Sequence, residues 1–183
     1  MRANYPELAP ESYKAMMALE GTLTLETALK ELVKLRVSQI NGCAFCTDMH
    51  AKEAKLNGER ELRLYHVPVW RESNLFTEKE RAALEWAEKL TRLDGGHVTD
   101  ADYQEVRQYF DDKELAELTF VITAINAWNR LGVAYAAVPG SADKMMGLDK
   151  AGLLYVGDAF EMDVKGAIEA GWSAVWYNRR DRA

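Results

Sequence analysis

Leu35-Arg36-Val37-Ser38-Gln39-Ile40-Asn41-Gly42-Cys43-Ala44-Phe45-Cys46-Thr47-Asp48-Met49-His50 decides how this chain is read, because it joins two helices through a pair of cysteines. Upstream, Leu25, Ala28, Leu29, Leu32, Leu35 and Ile40 recur at helical spacing and predict a helix from Leu25 to Ile40. Asn41-Gly42 supplies the stop, since both residues tolerate the left-handed backbone of a helix C-terminus. A second helix is expected from Cys43 to about Asn57, ended in the same way by Asn57-Gly58. Working outward, Pro10-Glu11 opens an earlier helix that Gly21 closes. Thr77-Glu78-Lys79-Glu80 is a capping box opening a helix to about Leu93. Thr99 caps another short helix, and Lys113 to Leu131 reads as a long, largely buried one. No strand alternation competes here, so the region reads as all-α.

The composition agrees. Of 183 residues, 48% are hydrophobic and 28% charged, a globular balance in a chain long enough to bury a core without disulfide staples. A net charge of -6 argues against a general nucleic-acid or anionic-membrane binder. No apolar run approaches the roughly 20 residues of a membrane span. The first residues, MRANYPELAPESYK, carry no apolar signal core. A cytoplasmic protein is expected, binding neither nucleic acid nor membrane.

The only two cysteines are Cys43 and Cys46. A lone close pair is seldom a staple in a reducing compartment, and it closes too small a loop to stabilise much. Redox chemistry is the leading reading. A metal site built from Cys43, Cys46, His50 and a distant His66 or His97 has no familiar spacing, and inert buried thiols are the plain alternative. With a helix start near Cys43, Cys46 lies about 60° from Cys43 on the wheel and His50 falls between them. Free amides and the positive end of the dipole favour a thiolate there. An isolated His50 would read as a satisfied core imidazole, but the cysteines on its face argue for chemistry. By itself Glu31 reads as a solvated glutamate at the edge of the apolar stripe. Arg36 and Gln39 fall inside that stripe, where polar side chains reach a partner carboxylate or a subunit interface.

The run Leu35 to His50 resembles the core of the AhpD-like alkylhydroperoxidases, in the carboxymuconolactone decarboxylase superfamily. Trp70-Arg71-Glu72, Phe76-Thr77-Glu78-Lys79-Glu80-Arg81-Ala82-Ala83-Leu84 and Ile125-Asn126-Ala127-Trp128-Asn129-Arg130 continue the likeness in order, over roughly residues 5 to 138. The resemblance implies an all-helical homo-oligomer, trimeric or hexameric, with the thiol site near subunit contacts. Carried over by position, it places a proton-relay glutamate at Glu31, the cysteine pair at Cys43 and Cys46, and the relay histidine at His50. Where the best-studied subgroup has a histidine immediately before its second cysteine, this chain has Phe45. The implied activity is two-electron reduction of an organic hydroperoxide by a dithiol–disulfide cycle, with no cofactor and no metal. Cys46, close to His50, is expected to be peroxidatic and Cys43 resolving, although the helix dipole alone would favour Cys43. Relatives suggest a lipoyl or thioredoxin-like reductant. The competing readings are a carboxymuconolactone-type decarboxylase, whose relatives generally lack this cysteine pair, and a non-enzymatic oligomeric redox sensor.

Pro139-Gly140-Ser141 breaks the composition, so the expected organisation is a helical domain over 1–138, a linker over 139–146 and a small C-terminal βαβ appendage over 147–183. Leu153-Leu154-Tyr155-Val156 and Ser173 to Tyr177 read as its strands and Asp163 to Ala170 as its helix. Leu154-Tyr155-Val156-Gly157-Asp158, followed by Asp163, resembles the last motif of haloacid dehalogenase-like hydrolases. There, two aspartates after a strand help hold Mg²⁺. No early DxD nucleophile motif follows an apolar strand, and Asp100-Ala101-Asp102 reads as a helix cap, so no phosphatase activity is expected.

Overall fold

Eight α-helices and one parallel strand pair make up the described residues, 1–93, 96–148, 154–157, 165 and 173–176, of a computed structural model. The helices are α1 (Tyr5–Leu8), α2 (Pro10–Thr22), α3 (Thr27–Ile40), α4 (Ala44–Leu56), α5 (Glu61–His66), α6 (Glu78–Thr91), α7 (Asp100–Val106) and α8 (Asp112–Ala134). A 3₁₀ segment, Val67–Glu72, links α5 towards α6, and the strands are β1 (Leu154–Gly157) and β2 (Ser173–Trp176). The helical reading of residues 10 to 135 therefore holds among the described residues. It missed α1, α5 and the 3₁₀ segment, which are too short to show a periodic stripe.

Local chemistry explains the boundaries. Helix α3 begins at Thr27 because the Glu26 carboxylate accepts the Ala28 and Leu29 N–H groups at 3.3 Å. Reciprocal capping boxes start α6 (Thr77 with Glu80), α7 (Thr99 with Asp102) and α8 (Asp111 with Glu114). Asp102 thus serves the cap of α7, as its place after Thr99 at a helix start suggested. Hydrogen bonds from Lys89 and then from Thr99 hold its carboxyl down at about 2. At the two Asn-Gly stops only the glycines turn left-handed. Gly42 has φ +66° and Gly58 φ +90°, whereas Asn41 and Asn57 stay at φ -78° and -88°.

Helix α3 is the wall between two apolar clusters. Its Leu29, Val33 and Val37, four residues apart, pack with Ala83, Trp86 and Ala87 of α6 and with Leu118, Val121, Ile122 and Ile125 of α8. Its Leu32 and Leu35 face the other way, onto Ala54, Leu64, Val67, Trp70, Phe76 and Leu84. Each large aliphatic side chain fully buried in this way contributes about 1.5–3 kcal/mol. A helix packed on both sides leaves little solvent face for ordinary polar residues. Those it carries at Glu31, Lys34, Arg36 and Ser38 are held by partners.

The chain divides into two compact units, 1–141 and 142–183. In the second, β1 and β2 pair in parallel with Leu154 opposite Ser173 and Val156 opposite Val175. A parallel pair needs a crossover, and about a dozen residues or more suffice. The helix expected across Asp163 to Ala170 lies outside the described residues, as do Asp158 and Asp163. No helix of the described residues is long and apolar enough to cross a membrane.

Candidate active site

Cys43 is the N-cap of α4, and its sulfur accepts the Cys46 N–H at 3.3 Å. The two cysteines form a disulfide with a Cα–Cα separation of 5.3 Å, and both are buried. The turn that presents them is tied on both sides. Cys43 N–H reaches back to the Ser38 carbonyl at 3.0 Å. The Asn41 amide donates to Asn129 Oδ1 at 2.9 Å and to Asn126 Oδ1 at 3.0 Å, while Asn129 Nδ2 donates to Ser38 Oγ at 3.0 Å. Asn129 is fully buried, so these bonds fix the end of α3, the cysteine turn and α8 as one polar joint. Phe45, between the cysteines, is half-buried and offers no proton.

Gly132 of α8 lies against the sulfurs. A β-carbon at this position would stand 2.8 Å from Cys43 Sγ and 3.2 Å from Cys46 Sγ. Glycine inside a helix costs about 1 kcal/mol relative to alanine, so its presence in a long buried helix was the available sign of a close approach.

His50 lies one turn beyond Cys46 on α4, and it is buried. Its Nδ1 meets Glu31 Oε2 at 2.7 Å and Glu53 Oε2 at 3.3 Å. Burial opposes an imidazolium here, but hydrogen bonds to Glu31 and Glu53 and the Glu31 charge outweigh it, so His50 titrates above its ordinary 6.5. Glu53 is held below 4.5, chiefly by its hydrogen bond to His50. Glu31 is therefore no solvated glutamate. It is buried, because the ridge of α3 that carries it is covered by α4. Lys34, one turn along on α3, is buried too and forms an ion pair with Glu20 of α2. With Nδ1 engaged by carboxylates, the neutral ring presents Nε2 as its base.

The donor atoms of Glu31, His50 and Glu53 lie within 4.8 Å of one another, the one such cluster of three among the described residues. Their mutual hydrogen bonds already occupy those atoms. The alternative set of Cys43, Cys46 and His50 with His66 or His97 does not assemble, and His66 Nδ1 meets Ser73 Oγ at 3.0 Å instead. Arg36 finds the expected carboxylate in Glu88 at 2.7 Å, where Arg71 and the Trp70 indole also donate. Gln39 Oε1 is buried without a hydrogen-bond partner among the described residues.

The carboxymuconolactone decarboxylase family model matches residues 10–89, the stretch that carries Glu31, Cys43, Cys46 and His50. The protein YdfG of Bacillus subtilis is 40% identical over 136 residues, covering 73% of this chain and 92% of YdfG. The structure of ATU0492 from Agrobacterium tumefaciens, a protein of unknown function proposed for antioxidant defence as AhpD, superposes with a TM-score of 0.73. It is 42% identical and covers 75% of this chain and 97% of its own. A peroxidase-related protein from Silicibacter superposes with a TM-score of 0.63 at 26% identity, over 72% of this chain and 71% of its own. None of these supports the likeness of residues 147–183 to haloacid dehalogenase-like hydrolases, which rests on sequence alone. By descent and by helical architecture, the chain belongs to the AhpD-like carboxymuconolactone decarboxylase superfamily.

Proposed function

We propose that this protein is a thiol peroxidase that reduces organic hydroperoxides through Cys43 and Cys46. The observation that carries the reading is the pairing of a cysteine couple at a helix N-terminus with a buried Glu31–His50 hydrogen bond one turn along the same helix. In the reduced protein, His50 Nε2 takes the Cys46 proton, and the amides and dipole of α4 stabilise the thiolate. The thiolate attacks the distal peroxide oxygen, the O–O bond breaks, and the alkoxide leaves as the alcohol with the proton held on His50. Cys46 is then a sulfenic acid. Cys43 displaces its hydroxyl as water and forms the disulfide, so two thiols and one hydroperoxide yield one disulfide, one alcohol and one water. A dithiol donor of the lipoyl or thioredoxin-like class completes the cycle. Glu31 keeps the imidazole in the required orientation and tautomer. Family membership supports a homo-oligomer, trimeric or hexameric, acting in the cytoplasm. The non-enzymatic sensor shares the first oxidation but not turnover, and the decarboxylase needs neither cysteine.

The test is anaerobic titration of the fully reduced protein with cumene hydroperoxide, counting free thiols and monitoring intact mass. Loss of both thiols per peroxide in a monomer of unchanged covalent length supports the reading. Thiols that survive excess peroxide reject it.

A further inference from the structure

Two carboxylates converge on one nitrogen of His50, and they differ in their access to water. The Glu31 and His50 side chains are only 5% and 3% exposed, whereas Glu53 is 40% exposed. Glu53 lies three residues after His50 on α4, so both project from the same face of the helix. Its carboxylate also lies within 4.8 Å of that of Glu31. A buried imidazole that must gain and lose a proton needs an outlet, and Glu31 is too deeply covered to supply one.

We propose that Glu53 is the water-facing member of the relay, a positioning residue that accepts the proton His50 takes from Cys46 and exchanges it with solvent. The chemistry it serves rests on the peroxidase reading above. The proton path is balanced: Cys46 thiol to His50 Nε2, His50 Nδ1 to the Glu53 carboxylate, and Glu53 carboxylic acid to water, with the reverse path supplying a proton. The charged groups set around His50 are Glu31 and Lys34 from α3 and Glu53 from its own helix. Lys34 opposes the imidazolium, but its charge is shared with Glu20 of α2. Helix α8, which also packs on α4, presents uncharged Gly132 to the sulfurs. Removing the Glu53 charge therefore lowers the affinity of His50 for its proton and weakens the Cys46 thiolate.

The experiment uses the reduced full-length chain as wild type, Glu53→Gln and Glu53→Asp. It follows the His50 ring resonances against pH, the rate of Cys46 alkylation by iodoacetamide against pH, and oxidation by cumene hydroperoxide. The proposal expects Glu53→Gln to titrate His50 at lower pH and to move the alkylation profile to higher pH. Alkylation near neutral pH should slow about tenfold, and Glu53→Asp should largely restore it. Superposable profiles for wild type and Glu53→Gln would overturn the proposal, whatever the peroxide result. Shifted profiles in a wild type that does not consume peroxide would leave Glu53 in its role and reject the peroxidase reading instead.

Discussion

Gly132 and Cys43 come together so closely that no other residue type fits at position 132 without movement, since an added β-carbon would stand 2.8 Å from the sulfur. The contact joins the last turns of α8 to the first turn of α4. The redox pair is therefore seated between the two helices and not simply displayed at a helix end.

Gly132→Ala should consequently destabilise the oxidised protein, despite alanine's better helix propensity. Overpacking of this kind costs about 1–3 kcal/mol, which in a chain of this size lowers Tm by roughly 2–4 °C per kcal/mol. Thermal unfolding of the oxidised variant checks it. An unchanged or raised Tm would mean that α8 yields freely and that the glycine has no packing role.

The two cysteines should separate by role. After excess cumene hydroperoxide, Cys46→Ser should keep its Cys43 thiol, while Cys43→Ser should stop at a sulfenic acid on Cys46 that a cyclic 1,3-diketone traps. The reverse pattern would hand the peroxidatic role to Cys43, which the helix dipole by itself favours.

Asn129 is fully buried and bridges Ser38 and Asn41. Asn129→Ala should leave Ser38 Oγ without this donor and Asn41 with Asn126 alone, at about 1–3 kcal/mol. It should also loosen the cysteine turn, seen as faster amide exchange at Gly42 and Cys43. Protection equal to wild type would show that the turn is held by its backbone bonds alone.

Acid should weaken the fold through Glu88. Burial would raise its carboxyl, but hydrogen bonds from Trp70, Arg71 and Arg36 outweigh this and hold it below the ordinary 4.5. A group depressed in the folded state contributes stability present above its unfolded value and lost as pH falls through the folded one. Urea midpoints should thus decline as pH drops below about 4.5, and Glu88→Gln, less stable at neutral pH, should decline less. His50 has the opposite sign: its raised value contributes stability that is complete below 6.5 and lost as pH rises through the folded value. Equal acid slopes in wild type and Glu88→Gln would show that Glu88 is not the titrating group.

Much of this was legible in the residues themselves. The stripe from Leu25 to Ile40, the Gly42 and Gly58 stops and the Thr77 and Thr99 caps act within a few residues of chain. Local sequence therefore determined where the main helices begin and end. The same locality put Cys43, Cys46 and His50 on one face of α4. The family's motif supplied Glu31, which the stripe alone would have left in solvent. What only the tertiary structure decided lies between helices. Whether Glu31 meets water or His50 depends on α4 covering α3. Whether Gly132 is an idle glycine or the seat of the sulfurs depends on α8 crossing there. Whether Arg36 is a misfit or an ion-paired core residue depends on Glu88, 52 residues away in sequence. Helix periodicity says which side of a helix is covered, but the choice of covering helix is made by packing across the whole chain, and that choice sets the chemistry of each buried polar side chain.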